Sequence, residues 1–186
     1  MKEIILFSKS PRRQELLKLM GYDFRVMTKD VDESFPSHLS PPDVALHIAI
    51  NKAKAFDHEL NDEVLITADT IVAVDQEILG KPVDADDAKR MLRLMSGRSH
   101  EVHTGVALLH RHTISSFVDT TKVFFRAMKE EEMDYYIEQY KPYDKAGAYG
   151  IQEWIGLTVI ERIEGSYTNV MGLPTEKLYE LLTRIG

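Results

Sequence analysis

The sequence predicts an α/β fold: a mixed, twisted sheet with flanking helices, arranged as two lobes around a central cleft. Three observations carry this expectation. Strand-like and helix-like segments alternate irregularly, which argues against a regular doubly wound sheet. The run Val64–Val74 is the most strand-like in the chain. Two further runs, Glu101–Leu109 and about Ile114–Arg126, flank His110-Arg111-His112 and predict a long antiparallel hairpin.

The bulk composition narrows the function classes. The 186 residues are 44% hydrophobic and 28% charged, enough to bury a sizeable core as one domain over residues 1–186. A net charge of −7 disfavours broad attraction to nucleic acid or to an anionic membrane. The chain has no cysteine, so it carries neither a disulfide framework nor a thiolate metal site. No leader-like segment precedes the first strand and no apolar run spans a bilayer, so a cytoplasmic protein is expected.

Taken in order, Ile4–Phe7 reads as a strand leading into Ser8-Lys9-Ser10-Pro11-Arg12-Arg13. Ser10 suits a helix N-cap and Pro11 the first helical position, where a missing N–H costs nothing. Leu16, Leu19 and Met20 share a helical face, and Gly21 supplies the stop. A helix start with unpaired N–H groups and two guanidinium forks is suited to phosphate, although paired arginines are commonly just solvated. A second strand follows at about Tyr22–Thr28, then the acidic loop Asp30-Val31-Asp32-Glu33.

Ser40-Pro41-Pro42-Asp43 opens a second helix that runs to about Glu59. Lys52 falls within its apolar stripe of Ala45, Ile48, Ala49 and Phe56. Its stem can cover apolar surface while its ammonium reaches water, or the face can border a cleft that holds an anion. Asp69 lies in the middle of the Val64–Val74 strand, and burying an ionised group without a partner is expensive. Asp69 must therefore be paired, metal-bound or facing a polar cavity. After a turn at Asp75-Gln76, Lys81 sits between Gly80 and Pro82 on a stiff turn, outside any P-loop pattern.

Asp84–Asp87 caps a third helix with an apolar face of Ala88, Met91, Leu92 and Met95, ended by Ser96-Gly97. His100 and His103 are three apart in an extended stretch and point to opposite faces, so no histidine metal site is expected. Glu130–Tyr140 is a helix without an N-cap side chain, ended by Pro142. The small residues of Lys145-Ala146-Gly147-Ala148-Tyr149-Gly150-Ile151-Gln152 let backbone approach backbone or a ligand, and the Gln152 amide suits a base edge. A strand at Thr158–Ile163, a turn at Gly165-Ser166-Tyr167 and a last helix with Leu178, Leu181, Leu182 and Ile185 inside complete the chain.

Six blocks stand in an order that resembles the Maf family of nucleoside triphosphate pyrophosphatases. They are Ser8–Arg13, Ala68–Thr70, Gly80–Pro82, Ser96–His100, Lys145–Gln152 and Gly172–Pro174. The resemblance covers essentially the whole chain. It implies an ITPase-like two-lobed fold with its active site in the cleft, and hydrolysis of a nucleoside triphosphate to the monophosphate and pyrophosphate. It implies a divalent cation, Mg²⁺ or Mn²⁺, and a homodimer, since the family commonly dimerises. In the branch acting on dTTP and UTP the specificity positions are an arginine, a threonine and a glutamine, which fall here on Arg12, Thr70 and Gln152.

Within that resemblance, Asp69 is the expected proton acceptor for the attacking water and, with Glu33, a metal ligand. Ser8, Arg12, Arg13, Lys52 and Lys81 are expected to neutralise the triphosphate and departing pyrophosphate. Three competing readings remain at this point: the branch acting on 7-methyl-GTP, a nucleotide-binding regulator of septum formation, and a nucleic-acid-binding module. The last is disfavoured by the acidic net charge.

Overall fold

The computed structural model describes residues 2–60 and 62–185. Its elements are β1 (Ile4–Phe7), α1 (Pro11–Leu19), β2 (Phe24–Met27), α2 (Pro41–Lys54), β3 (Val64–Val74), β4 (Glu77–Leu79) and α3 (Ala85–Met95). They continue as β5 (Ser99–His110), β6 (Thr113–Phe125), α4 (Glu130–Tyr140), a 3-10 turn (Ala146–Ala148), α5 (Trp154–Thr158), β7 (Ile160–Glu164), α6 (Tyr167–Met171) and α7 (Thr175–Thr183). The strands form one mixed sheet in the order β2-β1-β3-β5-β6-β7, with β4 attached to β3. β1 is parallel to both β2 and β3, whereas β3, β5, β6 and β7 run antiparallel in succession. The expected mixed sheet with flanking helices is therefore present.

Strand periodicity decides which helix covers which face. Ile5 and Phe7 of β1 pack with Ala49, Ala53 and Phe56 from the α2 side. Ile4 and Leu6 point the other way, to Leu16 and Leu17 of α1 and Leu178 and Leu182 of α7. Toward the other end of the sheet, α3 and α4 bring Met91, Leu92, Met95, Tyr136 and Ile137 onto Val72, Val102, Val123 and Phe125. Each such buried side chain contributes roughly 1.5–3 kcal/mol of transfer free energy.

The sheet has one interruption. β5 pairs with β3 from Leu65 to Ala73 along one edge. On the other edge β1 covers Val64–Thr67 and β4 covers Val72–Val74. Ala68-Asp69-Thr70-Ile71 thus lie in a gap between two short strands. The gap lets side chains from both faces of β3 reach one cavity, and it accounts for a carboxylate in the middle of an otherwise apolar strand.

Close packing of α2 fixes what stands above that gap. A Cβ at Gly105, the β5 partner of Asp69, would sit 2.3 Å from the carbonyl oxygen of Ala45. The Thr67 hydroxyl also donates to the Ala49 carbonyl at 2.7 Å. Glycine at 105 is required because helix backbone rests directly on strand backbone there.

Several local expectations differ from the structure. α2 ends at Lys54 and gives way to turns before Glu59. Leu19 is 76% exposed, because only Leu16 and Leu17 of α1 reach the sheet. The Ser10 and Ser40 hydroxyls do not cap their helices: Ser10 N–H instead donates to Ser8 Oγ, and Ser40 Oγ to Asp43. The start of α4 is better satisfied than its sequence suggests, since the Glu132 carboxylate accepts from Lys129 N–H at 2.8 Å. Thr158 closes the short helix α5, and the strand begins at Ile160. Tyr167, expected at the end of a turn, instead begins α6, capped by the Ser166 hydroxyl accepting from Asn169 N–H. The β5–β6 hairpin turns through Arg111 and His112, both with positive φ, as a tight two-residue turn requires.

Two outcomes follow from this packing. Gly105→Ala forces α2 off the sheet and should cost about 3 kcal/mol by overpacking, a fall in Tm on the order of 10 °C in thermal melts. His100 is buried against Phe125 and Tyr149, its Nε2 2.7 Å from the Tyr149 hydroxyl, and burial lowers its pKa to about 3. The unfolded chain protonates this histidine from pH 6.5 downward while the folded chain holds it neutral. Its contribution is therefore complete above pH 6.5 and is lost as pH falls toward 3. The Tm of His100→Phe should fall less between pH 7 and pH 4 than that of the native protein.

Candidate active site

A cleft of about 750 Å³ opens at the gap in β3. It is walled by the loop after β1, the start of α1, the acidic loop after β2, the Gly80-Lys81 turn and the segment around Lys145–Gln152. Ser8, Arg12, Arg13, Glu33, Lys52, Asp69, Thr70, Lys81 and Gln152 all line it.

At its centre is an ion-paired triad. Lys52 Nζ lies 2.8 Å from Asp69 Oδ1 and 2.8 Å from Glu33 Oε1. The Lys52 and Asp69 side chains are 10% and 15% exposed, whereas Glu33 is 60% exposed. The Lys52 ammonium therefore ends on carboxylates rather than in water. Burial alone would raise the pKa of Glu33, but the Lys52 hydrogen bond and charge, with Lys81 and Arg13, outweigh it and lower it overall. Glu33 is thus a carboxylate at neutral pH.

The two arginines have different surroundings. Arg12 Nη1 donates to Asp144 Oδ2 at 3.1 Å across the cleft. Arg13 Nε donates to the Gly172 carbonyl at 2.7 Å, Nη1 to the Ala68 carbonyl at 2.9 Å and Nη2 to the Thr70 hydroxyl at 2.9 Å. All three of its nitrogens thus have protein acceptors. Burial lowers the pKa of Arg13, the Asp69 charge opposing it. As it stands, Arg13 ties α1, the open edge of β3 and the Gly172 turn together, a positioning role beside the expected phosphate contact.

The remaining expected residues are placed as follows. Ser8 is buried and its hydroxyl accepts from Ser10 N–H at 3.1 Å, which shapes the turn into α1. Lys81 is exposed at the rim and makes no ion pair among the described residues. Gln152 also lines the cleft and is exposed. Thr70 is half-buried, its hydroxyl 3.0 Å from that of Thr104.

Sequence reasoning missed a second ionic group. Lys145, only 8% exposed, sits 2.8 Å from Asp144 Oδ1 and 3.1 Å from Glu153 Oε1. Glu153 also accepts from the Tyr136 hydroxyl, which in turn accepts from Gly150 N–H at 3.0 Å. These bonds fix the backbone on both sides of Gln152. For Asp144, burial opposes ionisation, but Lys145 and Arg12 outweigh it and lower its pKa. The signal that could have found this group is the acid–lysine pair standing directly before the glycine-rich run.

The site's charge fits an anion. Seven Lys or Arg and four Asp or Glu line the cleft, a local excess of cations in a chain of net charge −7. For a divalent cation the chain offers the Asp69 and Glu33 carboxylates, both within reach of one ammonium. Among the described residues no group of three or more His, Cys, Asp or Glu is arranged to hold a metal. Two carboxylates fit a magnesium-type ion, which commonly takes one or two from protein and completes its shell with phosphate and water oxygens.

Residues 3–185 match the family model described as "Maf-like protein". A "dTTP/UTP pyrophosphatase" of Porphyromonas gingivalis is 50% identical over 99% of this chain and 94% of its own. One of the same name from Flavobacterium johnsoniae is 49% identical over 98% and 95%. Among solved structures, a HAM1 protein from Coxiella burnetii superposes with a TM-score of 0.53 at 15% identity, covering 99% of this chain and all of that one, a likeness of fold. By sequence over nearly its full length, the chain belongs to the Maf family.

Proposed function

We propose that this protein hydrolyses dTTP and UTP to the nucleoside monophosphate and pyrophosphate. The observation that carries the reading is Asp69, held by Lys52 at the open edge of β3 inside a cation-lined cleft. The names of the Porphyromonas and Flavobacterium relatives support the same substrates. In this reading residues 1–186 act as one two-lobed unit.

Asp69 accepts the proton of a water that attacks the α-phosphorus. A new P–O bond forms there, the bond to the α–β bridging oxygen breaks, and pyrophosphate leaves with that oxygen. Lys52 holds the Asp69 carboxylate in place and faces the developing charge. Arg12 and Lys81 meet the triphosphate, Ser8 and Arg13 shape the cleft beside it, and Thr70 and Gln152 read the base. A Mg²⁺ or Mn²⁺ ion held by Asp69 and Glu33 would withdraw charge from the phosphate oxygens and make bound water more acidic. Assembly as a homodimer and residence in the cytoplasm belong to the same proposal.

Pyrophosphate release with Mg²⁺ or Mn²⁺ across dTTP, UTP, CTP, GTP and 7-methyl-GTP tests the reading. The rate should be led by dTTP and UTP, and Asp69→Asn should lower kcat on the order of 10²–10⁴-fold with the fold intact. Near-normal activity of that variant removes Asp69 from catalysis. A lead for 7-methyl-GTP overturns the substrate assignment, and tight nucleotide binding without turnover would make the protein a regulator. Gln152→Ala should relax the substrate ranking more than it slows the leading substrate.

A further inference from the structure

We infer that Thr104, which does not line the cleft, sets which pyrimidine the site accepts by fixing the direction of the Thr70 hydroxyl. This rests on the pyrimidine-triphosphate reading above. Arg13 Nη2 can only donate, and it does so to Thr70 Oγ1 at 2.9 Å. At the other end, the Asn169 main-chain carbonyl can only accept, and Thr104 Oγ1 donates to it at 3.0 Å. Thr104 has one hydroxyl proton, and this bond uses it. In the 3.0 Å contact between the two hydroxyls, Thr70 must therefore donate and Thr104 accept.

The chain Arg13→Thr70→Thr104→Asn169 thus runs in one direction. Its far end is rigid: Asn169 is fully buried, and its side-chain amide donates to the Val102 carbonyl at 3.0 Å and to Thr121 Oγ1 at 2.9 Å. Thr104 is itself fully buried, so no water competes for its proton. Thr70 has one lone pair left and no proton to offer. Toward a ligand it is an acceptor only.

That polarity separates the pyrimidines. Uracil and thymine carry an N3–H donor, whereas cytosine has an N3 lone pair at the same place. A base placed with N3 at Thr70 is paired in the first case and left lone pair against lone pair in the second. Gln152 contacts the base without fixing this polarity by itself, because its amide can turn over to present donor or acceptor and its side chain is exposed. Thr104 is a positioning residue in this scheme, acting through Thr70.

The test is the ratio of kcat/KM for UTP over CTP. In Thr104→Val, which keeps the shape and removes the hydroxyl, Thr70 regains a free proton and the ratio should fall about tenfold or more. Thr104→Ser should restore it. An unchanged ratio in a folded Thr104→Val overturns the inference. Should that variant fail to fold, the native protein decides with 4-thio-UTP, which keeps N3–H and alters only the 4-position. Turnover close to that of UTP supports discrimination at N3, and rejection like that of CTP overturns it. A native protein that turns over no pyrimidine triphosphate removes the functional reading and this inference together. A preference for UTP over CTP that Thr104→Val leaves in place removes the inference alone.

Discussion

An ammonium and a carboxylate held 2.8 Å apart at the interrupted edge of β3 are what the rest of the structure accommodates. Desolvating Lys52 and Asp69 costs several kcal/mol per ion before their attraction is counted, so such a pair persists only where geometry is tightly enforced. Enforcement comes from backbone. α2 lies against β5 at Gly105, and the Thr67 hydroxyl is tied to α2 through Ala49. A longer β1 or β4 would cover Asp69, and a bulkier residue at 105 would lift Lys52 away from it. Hydrophobic clusters on either side of the sheet hold the pair in place.

Around it the cleft is assembled from segments distant in sequence. Arg13 joins α1, β3 and the Gly172 turn, and Arg12 joins α1 to Asp144. Lys145 then carries the ionic chain on to Glu153, beside Gln152. Positive charge is concentrated where a triphosphate would lie, while the chain as a whole stays acidic.

What the sequence disclosed follows from what each signal is made of. Asp69 stood out because an ionised group in a strand needs a partner, and Lys52 because it interrupts an apolar helical stripe. Both arguments are local, and the structure joins the two residues. The mixed sheet was legible from the β run and the hairpin. Its neighbours in the chain mark Arg13 as suited to phosphate, but they carry no sign of its three bonds to residues 55 to 159 positions away. Thr104 and Asn169 gave no signal at all, since their importance arises from strand register opposite Thr70 and from a main-chain carbonyl. α5 and α6, five residues each, are too short for periodicity to reveal.

In the proposed reaction, water attacks the α-phosphorus beside Asp69. Hydrolysis of UTP in ¹⁸O-labelled water, followed by mass analysis of both products, tests it most directly. One heavy oxygen is expected in the monophosphate and none in pyrophosphate. Label in pyrophosphate, or orthophosphate as the product, would contradict it.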